Sequence, residues 1–130
     1  MSNYFIILAA GKGKRFNSNI PKQFHNHKGK PVFMHSIDKA ISSNLYKEII
    51  LVINKRDKKF LKYKMSNKVK IIYGGNERSD SCFKAINFLK NKKAKNVFIH
   101  DAARPDFTIK LLEKLKDELK NNIAVVPYLK

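Results

Sequence analysis

Five short runs of apolar residues recur along the chain, with polar, glycine-bearing or helix-spaced stretches between them. Residues 4–10 are continuously apolar, too brief for a helix and stopped by Gly11, which predicts a strand buried on both faces. A loop rich in Gly and Lys follows, and Pro21 and Pro31 keep the stretch between them irregular. From Val32, the positions Phe33, Ile37, Ala40 and Ile41 have helical spacing, and the helix should end near Ser43 and Asn44. Residues 48–54 (EIILVIN) form a second strand, rich in Ile and Val. Residues 57–64 form a short helix, with Phe60, Leu61 and Lys64 at helical spacing. Residues 68–73 (KVKIIY) form a third strand, ended by Gly74 and Gly75. Ser79 or Asp80 then caps a helix that buries either Phe83, Ile86 and Leu89 or Ala85 and Leu89. Residues 96–100 form a fourth strand, and Thr108 caps an amphipathic helix with Leu111, Leu112, Leu115 and Leu119 on one face. Residues 122–127 (NIAVVP) begin a fifth strand.

Strand and helix thus alternate, and the strands read as unbroken apolar runs. That is the pattern of an α/β fold: a parallel sheet with helices on both faces. In such folds ligands bind beyond the carboxyl ends of the strands. The unusual loops lie there: residues 11–15 after the first strand, 74–81 after the third and 101–105 after the fourth. Three loops distant in sequence should therefore meet at one site. A length of 130 residues without repeat, low-complexity tract or linker suits one domain, residues 1–130. The sequence stops as the fifth strand ends, so the sheet is expected to be incomplete at its carboxyl end.

Charge changes this picture less than its size suggests. The net charge is +18, which invites a nucleic-acid reading, yet only four of the 28 basic residues are Arg. Arg is the side chain best suited to bidentate phosphate and guanine contacts. The lysines are spread along the whole chain beside 13 Asn and 14 Ile, a bias that A/T-rich codons can produce without a selected basic surface. No specific nucleic-acid partner is expected. The 43% hydrophobic content can build a core, and the longest apolar run falls far short of the roughly 20 residues that span a bilayer. No membrane association is expected. The lone Cys82 rules out an internal disulfide framework and fits a reducing cytoplasmic setting. His25 and His27 lack the companions of a zinc site, and His100 reads as a core residue.

Three segments carry candidate chemistry. In Leu8-Ala9-Ala10-Gly11-Lys12-Gly13-Lys14-Arg15, small residues and two glycines let backbone N–H groups approach a phosphate chain. It is neither a Walker loop nor a dinucleotide fingerprint, since no Ser or Thr follows Lys12 and the third glycine is missing. A tight turn with solvated charges would look similar, and Arg15 is what distinguishes it. Pro21-Lys22-Gln23-Phe24 supplies a further cation, Lys22, behind a fixed proline. In the segment from Gly74 to Ser81, polar residues offer both donors and acceptors, as a nucleobase edge requires. In His100-Asp101-Ala102-Ala103-Arg104-Pro105, an Asp at a strand end followed by small residues leaves room for hydrated Mg²⁺ and its phosphates. An Asp capping the next turn is the plainer alternative.

Taken together, LAAGKGKRF, PKQF, GGNERSDS and HDAARP closely resemble the 2-C-methyl-D-erythritol 4-phosphate cytidylyltransferase family, in this order and spacing, over about residues 5–127. The ribitol-5-phosphate cytidylyltransferases share the first loop and PKQF, but their fourth motif reads closer to D-x-V-R-P. Ala102, Ala103 and the segment from Glu77 to Asp80 favour the erythritol family. The resemblance implies a Rossmann-like nucleotidyltransferase fold, CTP as substrate, Mg²⁺ as cofactor and a sugar-alcohol phosphate as acceptor of CMP. It implies that Arg15 and Lys22 stabilise charge on the reacting phosphorus, and that Ala9, Ala10, Gly11 and Gly13 cradle the triphosphate and base. Gly75, Asn76 and Ser81 resemble the cytosine-reading positions, and Asp101 the residue that helps hold Mg²⁺. Family members of full length are expected to be homodimers, with an arm and an acceptor-binding Arg and Lys beyond the region matched here. Residues 1–130 are thus expected to hold the CTP half of the site and, alone, to be inactive.

Overall fold

A computed structural model of the chain describes residues 2–11 and 20–127. Four strands, β1 (Ser2–Ala9), β4 (Glu48–Ile53), β5 (Val69–Tyr73) and β6 (Ala94–Asp101), form one sheet in the order β5-β4-β1-β6. All three strand pairings are parallel. In register, Ala9 lies beside Ile53, Ile53 beside Tyr73, and Leu8 beside Asp101, so the carboxyl ends of the strands finish along one edge. The ladder continues into the loops through Gly74 N–H to the Ile53 carbonyl (2.8 Å) and Ala102 N–H to the Leu8 carbonyl (2.9 Å).

Helices cover both faces, which is why β1 and β4 are apolar at successive positions. Phe5, Ile7 and Ala9 of β1, with Ile49, Leu51 and Ile53 of β4, face α1 (Val32–Ser43) and α3 (Ile109–Glu118). Tyr4, Ile6, Leu8, Ile50 and Val52 face α2 (Arg78–Phe88). α1 ends where expected, because Asn44 adopts the left-handed conformation (φ 57°) that closes a helix. The α3 cap is also as expected: Thr108 Oγ1 accepts from Leu111 N–H at 3.1 Å, and Leu112 is buried.

Four expectations need correction. The segment after β4 is a 3₁₀ helix, Lys55–Phe60, in place of a helix over 57–64. Asn54 caps it by accepting from Arg56 N–H, and its bonds run from residue i+3 to i, as from Asp57 N–H to the Asn54 carbonyl. α2 starts one residue before the proposed caps, with Glu77 at its N-cap, while Asp80 Oδ2 accepts from Glu77 N–H at 3.2 Å. Its buried side carries Ala85 and Leu89, whereas Phe83 and Ile86 are 70% and 51% exposed. The stretch between Pro21 and Pro31 is not wholly irregular. It holds a 3₁₀ turn, Lys22–Phe24, and a two-residue pairing of β2 (Asn26–His27) with β3 (Lys30–Pro31). Lys28 and Gly29 both take positive φ (52° and 89°), as a two-residue hairpin turn of matching twist requires.

The last correction concerns residues 122–127, which form no strand; the sheet has four among the described residues. Strand composition alone does not pair a segment with a sheet: these residues stay outside it although β6 is an edge strand, and all but Val125 are exposed. Ile123, Ala124 and Val125 line an apolar groove with Leu111, Leu115 and Leu119.

The face assignment of α2 is open to measurement. Phe83→Ala should change the unfolding free energy by no more than about 0.5 kcal/mol, whereas Ile50→Ala should lower it by about 2–5 kcal/mol. Urea unfolding of the two variants reads the difference directly. A comparable loss at both positions would return Phe83 to the core.

Candidate functional site

The carboxyl edge of the sheet carries a small open cleft of about 140 Å³ among the described residues. Leu8, Ala10 and Gly11 form its β1 side, Gly75, Asn76, Glu77, Arg78 and Ser81 its α2 side, and Asp101 its β6 side. The described parts of the three loops named from sequence, Gly11 alone in the first, therefore converge, because parallel register places the ends of β1, β5 and β6 on one edge.

Each side is held by its own contacts. At the β5–α2 loop, Ser81 is 3% exposed and its Oγ accepts from Gly75 N–H at 3.2 Å. That leaves the Ser81 hydroxyl proton for another acceptor. Gly74 is required by this packing. A Cβ on it would lie 2.3 Å from Ser81 Oγ and 2.9 Å from Ala10 Cβ. At Gly75 a Cβ would meet the Asp80 Cβ at 2.4 Å. Close approach is thus of the β5–α2 loop to α2 and, at Gly74, to Ala10 and Val52 as well, while the Cβ direction of Gly11 is open space. On β6, Asp101 Oδ1 accepts from Ala103 N–H at 3.0 Å, so the turn-capping alternative is real. No hydrogen-bond partner among the described residues engages its Oδ2.

Alternation along β6 sends His100 the other way. Its ring lies 4.4 Å from that of Phe107 and 5.9 Å from that of Phe5, on the α3 side of the sheet. Burial is the main cause that pulls its pKa below the ordinary 6.5; Lys39 and Arg104 add to this. A hydrogen bond to the Arg104 main chain and the charge of Asp101 oppose it.

The remaining assignments separate. Ala9 is 1% exposed and lies in the core beneath the cleft, with its methyl among the residues facing α1. Lys22 sits on the 3₁₀ turn and is not among the residues lining the cleft. Gly13 and Arg15 lie outside the described residues. Sequence reading passed over Gln23, which is 4% exposed and donates through Nε2 to the carbonyls of Ala9 and Gly11, both at 2.9 Å. A signal was available, since an amide between Lys22 and the apolar Phe24 in a polar loop is a candidate for burial. Arg78 was named only within its motif and brings a cation to the cleft wall.

Residues 4–129 match the family described as 2-C-methyl-D-erythritol 4-phosphate cytidylyltransferase, IspD. The chain belongs to this family. A 2-C-methyl-D-erythritol 4-phosphate cytidylyltransferase of Caldicellulosiruptor bescii is 38% identical over 130 residues, covering 98% of this chain and 58% of that protein. The bifunctional enzyme IspD/IspF of Pelagibacter ubique is 51% identical over 127 residues, covering 98% of this chain and 34% of that protein. The crystal structure of the Francisella tularensis 2-C-methyl-D-erythritol 4-phosphate cytidylyltransferase superposes with a TM-score of 0.76 at 31% identity. It covers 94% of this chain and 54% of the other. The chain therefore spans between about a third and three fifths of these cytidylyltransferase relatives. The α/β nucleotidyltransferase fold expected of the family is the one observed.

His100 gives this region a pH signature. With its pKa lowered in the folded state, the unfolded chain binds more protons as pH falls below about 6.5, so stability is lost in that direction. His100→Phe should flatten the decline in unfolding free energy between pH 7.5 and 5, read by urea titration at each pH. Parallel declines in both proteins would remove His100 as the cause.

Proposed function

We propose that residues 1–130 form the CTP-binding part of a cytidylyltransferase that moves CMP from CTP to 2-C-methyl-D-erythritol 4-phosphate in isoprenoid precursor synthesis. An oxygen of the acceptor phosphate attacks the α-phosphorus of CTP, the bond from that phosphorus to the bridging oxygen breaks, and pyrophosphate leaves. The acceptor is already an anion, so no general base is needed. The observation that carries the reading is the convergence of Gly11, Gly75, Asn76, Ser81 and Asp101 on one cleft, in a chain of this family.

The cytosine edge needs one donor and two acceptors answered. Asn76 offers both an amide N–H₂ and a carbonyl, and the Ser81 hydroxyl keeps a proton to donate. The loop after β1, with Ala10, Gly11 and Gly13, takes the triphosphate. Arg15 and Lys22 stabilise the charge that builds on the α-phosphorus, and positioning plus charge neutralisation supplies most of the catalysis in such transfers.

A divalent cation fits this site in a limited way. The described residues hold no cluster of three His, Cys, Asp or Glu side chains, and Asp101 offers one carboxylate oxygen without a partner. Mg²⁺ is commonly held by one or two carboxylates together with substrate phosphates, so Asp101 is the residue that would hold it. Bound there, the ion would neutralise phosphate charge. The same reading places the protein in the cytoplasm and full-length family members in a homodimer.

Calorimetric titration with CTP, ATP and GTP, with and without Mg²⁺, tests this assignment. CTP should bind more tightly than either purine nucleotide, and Asp101→Ala should abolish the Mg²⁺ dependence while Lys110→Ala, on exposed α3, leaves it intact. Equal affinity for the three nucleotides would reduce the binding to the general positive field and sink the base-site assignment. An unchanged metal response in Asp101→Ala would move the ligand role elsewhere.

A further inference from the structure

Gln23 is the only buried polar side chain in the stretch that joins β1 to α1, among the described residues. Both hydrogens of its amide are used, one on the Ala9 carbonyl and one on the Gly11 carbonyl, each at 2.9 Å. Since both partners are acceptors, only the nitrogen of the Gln23 amide can face them. Gln23 itself is fixed from its other side. Its neighbour Phe24 packs 5.5 Å from the Phe33 ring and 5.2 Å from the Phe60 ring, and Phe24 N–H bonds the Pro21 carbonyl at 3.0 Å. The amide is therefore a rigid fork reaching from the core into the strand-end loop.

Two consequences follow for an anion above that loop. A peptide carbonyl carries partial negative charge, and two of them would repel a phosphate if they faced the cleft. Held by Gln23, they are withdrawn from it. The peptide bonds of the described residues are trans, so turning the Ala9 carbonyl toward Gln23 turns the Ala10 N–H away from Gln23. We propose that Gln23 is the positioning residue of the nucleotide site: its amide fork holds the Ala9 and Gly11 carbonyls away from the phosphates and leaves the Ala10 N–H on the opposite side, available to them. The assignment rests on the CTP reading above for the location of the phosphates. It goes further in naming what presets the loop and in tying that loop to the turn that carries Lys22.

Inorganic triphosphate isolates the phosphate subsite from the base. Gln23→Leu removes both donors without changing the net charge, so the general positive field is the same in variant and wild type. Its affinity for inorganic triphosphate and for CTP should fall about tenfold or more, the equivalent of about 1.4 kcal/mol, while cytidine binding, read by NMR titration, stays within about twofold. Gln23→Glu adds a readout that simple structural damage does not give. At pH 8 the introduced carboxylate has no proton to donate, and triphosphate affinity should fall at least as far. Near pH 5 the protonated carboxyl regains one donor, and the ratio to wild type should recover in part. Cytidine and triphosphate weakening in parallel, with no recovery at low pH, would mark Gln23 as ordinary packing and overturn the proposal. Unchanged triphosphate affinity in Gln23→Leu, or no triphosphate binding by the wild type, would do the same. If the wild type binds CTP, ATP and GTP alike while Gln23→Leu still loses triphosphate, the cytidine reading fails and the role of Gln23 stands. If Gln23→Leu does not fold, the pH response of Gln23→Glu decides.

Discussion

Everything at the cleft depends on β1 being buried on both faces. Its side chains from Tyr4 to Ala9 are at most 7% exposed, and it is hydrogen-bonded along both edges by β4 and β6. A strand enclosed in this way has no freedom to slip, because a shift of one residue would exchange the sets facing α1 and α2. Its carboxyl end is therefore fixed relative to the ends of β4 and β6. The loops that leave those ends inherit the alignment, and the loop of β5 inherits it through β4. Hydrophobic burial thus does the work of bringing Gly11, Gly75 and Asp101 to one place, although none of them makes a large apolar contact.

The local devices differ from loop to loop. The β5–α2 loop is held by packing so tight that neither Gly74 nor Gly75 has room for a side chain, with Ser81 as the polar link. The β6 loop is held by Asp101 bonding two residues ahead. Gly11, where the chain leaves β1, lacks such close contacts and is held instead through its carbonyl by Gln23. A site built from backbone and small residues needs this support, since its donors are only as well aimed as the loops that carry them. The +18 charge adds attraction for any polyanion but no geometry.

The parts legible in sequence were those where one physical signal dominates. β1 and β4 are covered on both sides, so they read as unbroken apolar runs; α1 and α3 carry strong periodicity and clear ends at Asn44 and Thr108. α2 is weakly amphipathic, and its two largest apolar residues near the middle, Phe83 and Ile86, point outward. Spacing alone could not choose between them and Ala85 with Leu89. Residues 122–127 have strand composition, but composition cannot say whether a segment will pair, and this one stays outside the described sheet although β6 is its edge strand. The Lys28–Gly29 turn lacks the usual Asn-Gly signature and was invisible for that reason. The cleft residues were legible because glycines and polar side chains at strand ends are rare enough to stand out. Gln23 was not, because its importance lies in two backbone carbonyls that no sequence pattern reveals.

The central claim is that three loops at the carboxyl edge form a single nucleotide cleft. Backbone amide chemical-shift mapping of the chain during titration with CTP and Mg²⁺ tests it most directly. The account predicts that the perturbed amides cluster at Gly11, Gly75, Asn76, Ser81 and Asp101, saturating together with one affinity. Shifts spread over the exposed lysine-bearing surfaces, such as Lys110 and Lys84 on α3 and α2, without that cluster, would contradict it.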